Sequence, residues 1–513
     1  MTTSLRAPDT LTRDALAVLQ PGFAGTSAPA WLLRHLEEGL ASVGLFGRNI
    51  ESAQQLALLT EQLRDVRPDL LVAIDEEGGD VTRLEVRAGS SYPGNLALGR
   101  VDDPDLTRAV AFELGSRLAA AGVNLNWAPS ADVNSNPDNP VIGVRSFGGD
   151  PQLVARHTVA YVEGLQAAGV AACVKHFPGH GDTAVDSHHD MPRIDADLET
   201  LRARELVPFA AAVEAGSKCV MSAHILLPAL DATRPGTLSP AALTGLLRAP
   251  RDQGGLGHHG LIVTDGMEMR AISATYGLER GSVLALAAGA DAICVGGGLA
   301  GEDTVLGLRD ALVRAVRDGE LAEERLADAA ARVRGLAAWA RGVRRPDTGG
   351  PADPALRADP SGAEAGIGLE AARRALVVTG LEGHRRPAGP LYVAALTSVA
   401  NIAVGDETPW GPAAELERMV PGTRTGTYRA ADGDVGAAVL ADAGERPVVV
   451  VVRDLHRHPW MADAVARLVA AREDTVVVEM GLPQAPPQGA LHIATHGAAR
   501  VCGRAAAEVI ARG

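Results

Sequence analysis

The stretch Val170–Thr183 reads VAACVKHFPGHGDT and decides the class of fold. Its first five residues are apolar and predict a buried strand, and a loop bent by glycine and proline follows directly. The loop continues into Asp186-Ser187-His188-His189, so one segment carries a lysine, four histidines and two carboxylates. Titratable side chains that follow the end of a buried strand are typical of active sites in α/β barrels. We therefore take this segment as the candidate functional site.

Short apolar runs of the same kind alternate with longer amphipathic stretches through the first two thirds of the chain. Eight runs are predicted strands, near residues 17–20, 43–46, 70–74, 123–127, 171–174, 219–223, 261–264 and 292–295. Helical patterns lie between them, for example at 105–121 and 151–168. Repeated alternation of strand and helix indicates parallel pairing, and a count of eight predicts a (β/α)8, TIM-like barrel.

A second, smaller α/β domain is predicted after the barrel. The helix at 322–341 ends the barrel, and a stretch rich in proline, glycine and charge follows it. Further strands are predicted at 375–379, 391–396, 448–452, 475–479 and 491–494. The predicted boundaries are therefore a catalytic barrel at 1–343, a linker at 344–366 and a C-terminal α/β domain at 367–513.

Composition narrows the class of partner. The 513 residues carry a formal net charge of −15, which argues against a nucleic-acid partner. Only 3% of the residues are aromatic, which favours a small or short substrate over a long polysaccharide. The four cysteines show no metal-type spacing and are predicted to be buried, reduced thiols. The N-terminus lacks a signal-peptide pattern, and no apolar run could span a bilayer, so a soluble cytoplasmic protein is predicted.

Polar residues follow four of the predicted barrel strands. Asp75-Glu76-Glu77-Gly78-Gly79 and then Arg83 come after the third strand, Lys175 and His176 after the fifth, His224 after the sixth and Asp265 after the seventh. In a barrel these strand ends share one face, so residues far apart in sequence are expected to converge on one ligand.

This set of side chains suits cleavage of a glycosidic bond with retention. Asp265 is a candidate nucleophile, because retention needs a carboxylate that traps the sugar as a covalent glycosyl-enzyme. His188 is a candidate proton donor, since Asp186 two residues earlier could orient its ring and support the protonated form. Sugar hydroxyls could be held by charge-assisted hydrogen bonds from Asp75, Arg83, Lys175 and His176.

Three pieces of this sequence resemble glycoside hydrolase family 3, and within it the β-N-acetylglucosaminidases. They are Lys175–Gly181, Asp186-Ser187-His188 and the turn Thr264-Asp265-Gly266. The resemblance covers the barrel, about residues 10–342, and extends more loosely to the C-terminal domain, as in the two-domain members. It implies that Asp265 is the nucleophile and that His188, paired with Asp186, is the acid/base.

The resemblance also implies a set of sugar-binding residues. Asp75, Arg83, Arg145, Lys175 and His176 match the positions that bind the N-acetylglucosamine unit, and we add His224 from its place after the sixth strand. Two positions depart from the family pattern. Glu76 stands where glutamine is usual, and Asp80 stands where arginine is usual after the double glycine. These two departures concern the fine substrate specificity and do not change the predicted class of enzyme.

Three alternatives stay open at this point. The histidines and aspartates of residues 176–189 could bind a divalent metal, which would make the chain a metal-dependent barrel hydrolase. Inorganic phosphate could replace water, because a neutral histidine does not repel an anion as a glutamate would, and the product would then be a sugar 1-phosphate from a β-N-acetylglucosaminide or a β-glucoside. A non-catalytic binding protein would be expected to have lost Asp265 or His188, and both are kept.

The sequence therefore predicts a two-domain, retaining exo-β-N-acetylglucosaminidase without a metal or other cofactor. Its expected substrates are short glycans or peptidoglycan fragments, in keeping with recycling inside the cell. No nucleic acid or membrane partner is expected, and the oligomeric state is left open.

Overall fold

The computed structural model describes residues 9–184, 191–298, 301–343, 366–398, 404–405 and 407–512. Its contacts divide the chain into two compact units. The first unit takes in the described residues of Met1–Glu76, Thr107–Val133 and Asp150–Asp359. The second unit takes in the described residues of Glu77–Leu106, Asn134–Gly149 and Pro360–Gly513. Each unit is described separately below.

Eight short strands form the centre of the first unit. They are β1 Leu19–Pro21, β2 Ser42–Leu45, β3 Leu71–Ile74, β4 Leu125–Asn126, β5 Ala171–Phe177, β6 Cys219–Ser222, β7 Leu261–Thr264 and β8 Ile293–Val295. Each lies within or beside one of the eight apolar runs identified in the sequence. All of their residues are buried, which is expected of parallel strands covered by helices.

The strands follow one another in chain order. Strands β2 to β7 form a curled six-stranded parallel sheet, and β1 pairs in parallel with β8. A bridge between Val263 and Ala292 joins β7 to the start of β8, and the Ser42 hydroxyl donates to the Leu19 carbonyl between β2 and β1. The α/β class with eight parallel strands is therefore confirmed, with a continuous ladder over six of them.

Seventeen α-helices occur in the described residues. They are α1 Thr10–Ala17, α2 Ala30–Glu38, α3 Ala53–Val66, α4 Asn95–Val101, α5 Pro104–Ala120, α6 Pro151–Ala167, α7 Leu198–Ala203, α8 Leu206–Glu214, α9 Arg270–Tyr276, α10 Leu278–Ala288, α11 Glu302–Arg317, α12 Glu323–Val343, α13 Ile367–Ala375, α14 Ala413–Met419, α15 Val435–Ala443, α16 Pro459–Ala471 and α17 Arg500–Arg512. A π-helical segment, Ala241–Arg248, precedes β7. Side-chain caps define several starts, such as Ser52 before α3 and Asp150 before α6.

A six-stranded mixed sheet forms the core of the second unit. Its strands are β9 Val377–Thr379, β10 Tyr392–Leu396, β11 Arg424–Tyr428, β12 Val448–Val452, β13 Val476–Glu479 and β14 Leu491–Ala494. They lie in the order β11-β10-β12-β13-β14-β9, and only the edge strand β9 is antiparallel. The all-valine strand β12 alternates between two apolar clusters, with Val449 and Val451 on one face and Val450 on the other.

The second sheet agrees with the predicted smaller α/β domain, except that β11 was not predicted. Its sequence, RTGTY, is polar, contains glycine and is largely exposed at the sheet edge, so it lacks the apolar run that marks the other strands. The predicted linker lies outside the described residues apart from Gly366. The boundaries at 343 and 367 stay a prediction.

Two smaller expectations concern the thiols and the membrane. Cys173, Cys219, Cys294 and Cys502 are all buried and free, as predicted. Across the described ranges, none of the helices combines the length and the apolar character needed to cross a lipid bilayer.

Candidate active site

The ends of β3 and β5 carry an ion pair. Lys175 lies in β5, and its Nζ is 2.5 Å from Oδ1 of Asp75, the residue that follows β3. Only 2% of the Lys175 side chain is exposed, so its ammonium needs a carboxylate partner to be stable there. The structure thus brings together two residues that the sequence placed in the sugar site.

Asp132 is held beside β5 by the chain that leaves β4. Residues after β4 run along β5, with hydrogen bonds from the Cys173 N–H to the Ala128 carbonyl and from the Lys175 N–H to the Pro129 carbonyl, both 3.1 Å. This course continues the parallel pairing of the two strands past the end of β4. It brings the Asp132 carboxylate, which is fully buried, next to His176.

Asp132 accepts four hydrogen bonds. Oδ2 is 2.7 Å from Nδ1 of His176 and 2.8 Å from the Ser130 hydroxyl, while Oδ1 accepts from the N–H of His180 at 2.7 Å and of His176 at 3.3 Å. Since a carboxylate can only accept, Nδ1 of the His176 ring carries a hydrogen. Asp132 therefore fixes both the His176 ring and the loop that leaves β5.

The charges in this cluster follow from its burial. Burial alone would raise the pKa of Asp132, but the charge and hydrogen bond of His176 outweigh it and bring the pKa down to about 2. Burial, helped by the nearby His176, lowers the pKa of His180 to about 4. His180 is therefore neutral near pH 7, and its Nδ1 lies 2.9 Å from the Thr183 hydroxyl. This contact shapes the loop.

A second layer of charge lies beneath the same loop. Arg204 donates to Asp182 and to Glu205, at 2.6 Å each. Glu205 is fully buried, and its other oxygen, Oε2, has no hydrogen-bond partner among the described residues. Burial, with repulsion from Asp132 and Asp182, raises the pKa of Glu205 to about 7 against the attraction of Arg204. A Cβ on Gly179 would lie 2.8 Å from Glu205, so the loop packs directly on this carboxyl.

Asp265 follows β7 at the position the sequence predicted. Its own N–H donates to the Ser222 carbonyl at 3.2 Å, and its Oδ1 accepts from the Gly266 N–H at 2.7 Å. His224 braces the same turn, because its Nε2 is 3.0 Å from the Gly266 carbonyl and its Nδ1 is 2.9 Å from the Thr237 hydroxyl. His224 was expected to bind substrate, and that role stays a prediction.

Cys294 on β8 shows that the strand ends converge. Burial raises the pKa of its thiol well above the usual value, and the negative charges of Glu268, Asp265 and Asp75 raise it further, while Lys175 opposes them. Electrostatic effects of this kind need short separations inside a protein. The carboxylates that follow β3 and β7 and the Lys175 ammonium of β5 therefore lie near the Cys294 thiol.

Glu268 lies three residues beyond Asp265, but backbone N–H groups already bind its carboxylate. Its Oε1 accepts from the N–H groups of Gly296, Gly297 and Gly298, at 3.1, 2.5 and 3.3 Å. These bonds tie the β7 loop to the β8 loop, which is a structural role.

Arg145 and Arg83 belong to the second unit. Arg145 forms a buried pair with Glu77, in which Nη2 is 2.6 Å from Oε1 and Nε is 3.0 Å from Oε2. A two-point contact of this kind fixes the plane of the guanidinium. Arg83 follows a tight turn in which the Glu77 N–H donates to the Val81 carbonyl at 3.0 Å. The pairing of Arg145 with Glu77 was not predicted.

The predicted acid/base dyad, Asp186 and His188, lies outside the described residues. In the part of the chain that is described, no group of three or more histidine, cysteine, aspartate or glutamate side chains is arranged to hold a metal ion.

Sequence reasoning missed Asp132 and Glu205. Asp132 carries a usable signal, because a carboxylate between Ala131 and Val133 shortly after a buried strand is hard to place except in a site. Glu205 precedes a strongly apolar helix, α8, and therefore resembles an ordinary residue of a helix start.

Residues 26–336 match the family model for the glycosyl hydrolase family 3 N terminal domain. The barrel-type sheet, with its carboxylates and its buried lysine at the strand ends, thus has the architecture of a glycoside hydrolase. The chain belongs to glycosyl hydrolase family 3.

Relatives of two lengths are similar to this chain. The beta-hexosaminidase A of Pseudoalteromonas piscicida is 38% identical over 269 residues, which cover 48% of this chain and 44% of that relative. This chain thus spans less than half of that protein. The beta-hexosaminidase of Xylella fastidiosa strain M23 is 37% identical over 282 residues, which cover 53% of this chain and 82% of the relative.

A solved structure is similar over nearly the full length. The glycoside hydrolase family 3 beta-N-acetylglucosaminidase from Paenibacillus sp. str. FPU-7 has 32% identity and a TM-score of 0.83, covering 98% of this chain and 97% of that one. Beta-N-acetylhexosaminidase from Beutenbergia cavernae DSM 12333 has 30% identity and a TM-score of 0.57, covering 65% of this chain and all of its own. One solved structure therefore matches nearly the whole chain and another matches about two thirds of it.

Proposed function

We propose that this chain is a retaining exo-β-N-acetylglucosaminidase that releases terminal N-acetylglucosamine from short glycans or peptidoglycan fragments. The observation that carries the proposal is the likeness to the Paenibacillus beta-N-acetylglucosaminidase across both units. The beta-hexosaminidases that match about half of this chain support the same substrate class.

In the proposed mechanism Asp265 attacks the anomeric carbon. Its carboxylate follows a buried strand, and its N–H and Oδ1 are both held by backbone groups, so it is fixed before substrate arrives. His188, oriented by Asp186, protonates the leaving oxygen and then removes a proton from the incoming water. The glycosyl-enzyme on Asp265 is the intermediate that gives retention.

The sugar-binding side chains are Asp75, Arg83, Arg145, Lys175, His176 and His224. Within the first unit, the Lys175–Asp75 pair offers both a cationic donor and an anionic acceptor to neighbouring hydroxyls. The Asp132 contact holds His176 in one tautomer, which fixes the polarity of the ring. Hydrogen bonds from such pre-positioned groups contribute to binding without a further loss of side-chain entropy.

The test is product analysis with p-nitrophenyl β-N-acetylglucosaminide and the matching glucoside, with and without inorganic phosphate. We expect free N-acetylglucosamine in both conditions, formed first as the β-anomer, and much slower release of glucose. A sugar 1-phosphate that forms only with phosphate would instead make the chain a phosphorylase. Turnover that a chelator abolishes would favour the metal-dependent alternative.

Asp265→Asn and Glu268→Gln form a matched pair of variants, because both carboxylates lie in the same loop. Loss of the nucleophile should lower kcat by about 10⁴-fold or more. Glu268→Gln keeps an oxygen for the three backbone donors and should change kcat by less than about tenfold. An Asp265→Asn variant with near-normal kcat would refute the proposed role of Asp265.

A further inference from the structure

Two segments of the barrel half of the sequence pack on the second sheet. We call residues 77–106 and 134–149 the edge segments, and both belong to the second unit. Arg453, directly after β12, contacts Asp80, and Arg457 nearby donates to the Asn139 carbonyl at 3.2 Å. In an open parallel sheet, α/β domains usually bind ligands at the carboxyl ends of the strands. Here those strand ends bind the chain's own edge segments.

The edge segments carry Arg83 and Arg145, the two arginines that the proposed function assigns to sugar binding. We infer that the C-terminal sheet is a positioning platform for these arginines, and that Asp80 and Arg453 are its principal positioning residues. The inference rests on the proposed function. It gives the C-terminal domain a part in substrate binding through residues that do not themselves touch the sugar.

Asp80 is the main anchor of the first edge segment. Only 2% of its side chain is exposed. One carboxylate oxygen accepts the Ala498 N–H at 2.6 Å, and the other is paired with Arg453. The Arg453 guanidinium in turn lies 5.4 Å from the centre of the Trp410 ring, so the cation is itself held in place.

The anchor is coupled to Arg83 through a short, rigid stretch. Asp80 lies inside the turn that the bond between the Glu77 N–H and the Val81 carbonyl closes, and Arg83 follows two residues after Val81. The preceding Gly79 donates its N–H to the Tyr92 carbonyl at 2.9 Å and leaves no room for a side chain. A shift of Asp80 must therefore move the backbone that carries Arg83.

The same turn connects to Arg145. Glu77, at its start, makes the two-point pair with Arg145, and Asn95 of the first edge segment donates to the Arg145 carbonyl at 2.7 Å. The second edge segment is also held by the contact of Arg457 with Asn139, whose side chain accepts from the N–H groups of Val141 and Ile142. Both arginines are thus linked to the end of β12.

The platform also accounts for the departure at position 80. Arginine is usual there in the family that the sequence resembles, whereas this chain has Asp80. In this chain Asp80 pairs with Arg453 of the C-terminal sheet, a contact that an arginine at position 80 could not make because it would face a like charge.

The test is a mutant cycle of Arg453→Gln, Asp80→Asn and the double variant, assayed with p-nitrophenyl β-N-acetylglucosaminide. Each single change should raise KM about tenfold and alter kcat by less than about twofold, since the bond lost is charge-assisted and lies on the binding side. The double variant should be no worse than either single variant, because the two changes remove the same contact. It also leaves no unpaired buried charge, so it remains informative if a single variant fails to fold.

Arg373→Gln is the matched control. It removes another arginine–carboxylate pair of the second unit, with Glu508, which joins helices α13 and α17. The control should keep the wild-type KM. Wild-type KM in the double variant and in every single variant that folds, or an equal rise in KM in the control, would overturn the platform. Absence of turnover by the wild-type chain would overturn the proposed function and this inference together, whereas an active wild type with unchanged variants would overturn only the inference.

Discussion

Replacement of Asp132 by asparagine is the sharpest probe of the buried cluster, because it keeps the shape and removes the charge. Backbone N–H groups cannot accept, so the amide oxygen of the asparagine must stay towards the His176 and His180 N–H groups. The amide NH2 then faces the His176 ring and the Ser130 hydroxyl. Nδ1 of His176 must become an acceptor, and the hydrogen moves to Nε2.

The size of the effect follows from the bonds that change. A hydrogen bond to a charged partner contributes about 1.5–3 kcal/mol and a neutral one about 1 kcal/mol. The carboxylate shares its charge between both oxygens, so the two side-chain bonds and the two backbone bonds all change from charged to neutral. The variant also no longer buries a charge, which offsets part of that loss. We therefore expect Asp132→Asn to lower the free energy of unfolding of the first unit by about 1–3 kcal/mol. Loss of the fixed tautomer should lower kcat/KM by about ten- to a hundredfold.

Urea unfolding followed by circular dichroism and steady-state kinetics on p-nitrophenyl β-N-acetylglucosaminide measure the two effects. Ser130→Ala is the control, since it removes one hydroxyl from the same carboxylate and leaves the charge and the His176 contact in place. It should cost about 1 kcal/mol and leave kcat/KM within about threefold of wild type. An Asp132→Asn variant that behaves like Ser130→Ala would refute the assignment of the His176 tautomer to Asp132.

Three further changes test separate features. The pKa of Glu205 is about 7 in the folded state, above its value in the unfolded chain, so the folded state binds the proton more tightly. The free energy of unfolding should therefore fall by about 3 kcal/mol as pH rises from about 4.5 to 7. Glu205→Gln should remove most of this loss in unfolding curves measured across that range. Lys175→Met removes the buried cation that pairs with Asp75 and should lower kcat/KM by about a hundredfold, and a value within threefold of wild type would contradict the role of the ion pair. Gly79→Ala places a Cβ 2.4 Å from backbone at positive φ and should destabilise the second unit by about 2–5 kcal/mol in thermal melts. Gly433→Ala, also at positive φ but in open space, measures the backbone cost alone, about 1–3 kcal/mol.

The strands of both sheets were predictable for a specific reason. Parallel strands buried on both faces need apolar runs, and a run such as Val448–Val452 therefore predicts a buried strand. Edge strand β11 was not predicted, because it is largely exposed and its residues need not be apolar. Strand β4 covers only Leu125–Asn126 of its predicted run, and beyond it the chain continues along β5 through the carbonyls of Ala128 and Pro129.

Site residues with unusual sequence surroundings could be predicted, whereas the contacts between site residues could not. Lys175 and Asp265 stand out because charged residues at the ends of apolar runs are rare. The partners of these residues come from elsewhere in the chain. Arg145 pairs with Glu77 and Arg453 pairs with Asp80 only after folding, and no local pattern records pairings across 68 and 373 residues.

The interleaved make-up of the second unit has a consequence for biosynthesis. Residues 77–106 and 134–149 leave the ribosome long before β9 begins at Val377, yet the sheet on which they pack starts there. Until residues 453 and 498 have been made, the turn of Asp80 has neither Arg453 nor Ala498 to hold it. The nascent chain thus carries two segments without their packing partners until the second sheet is synthesised, a state that invites binding by chaperones. Fragments that stop after the barrel should reproduce that immature state rather than a minimal enzyme.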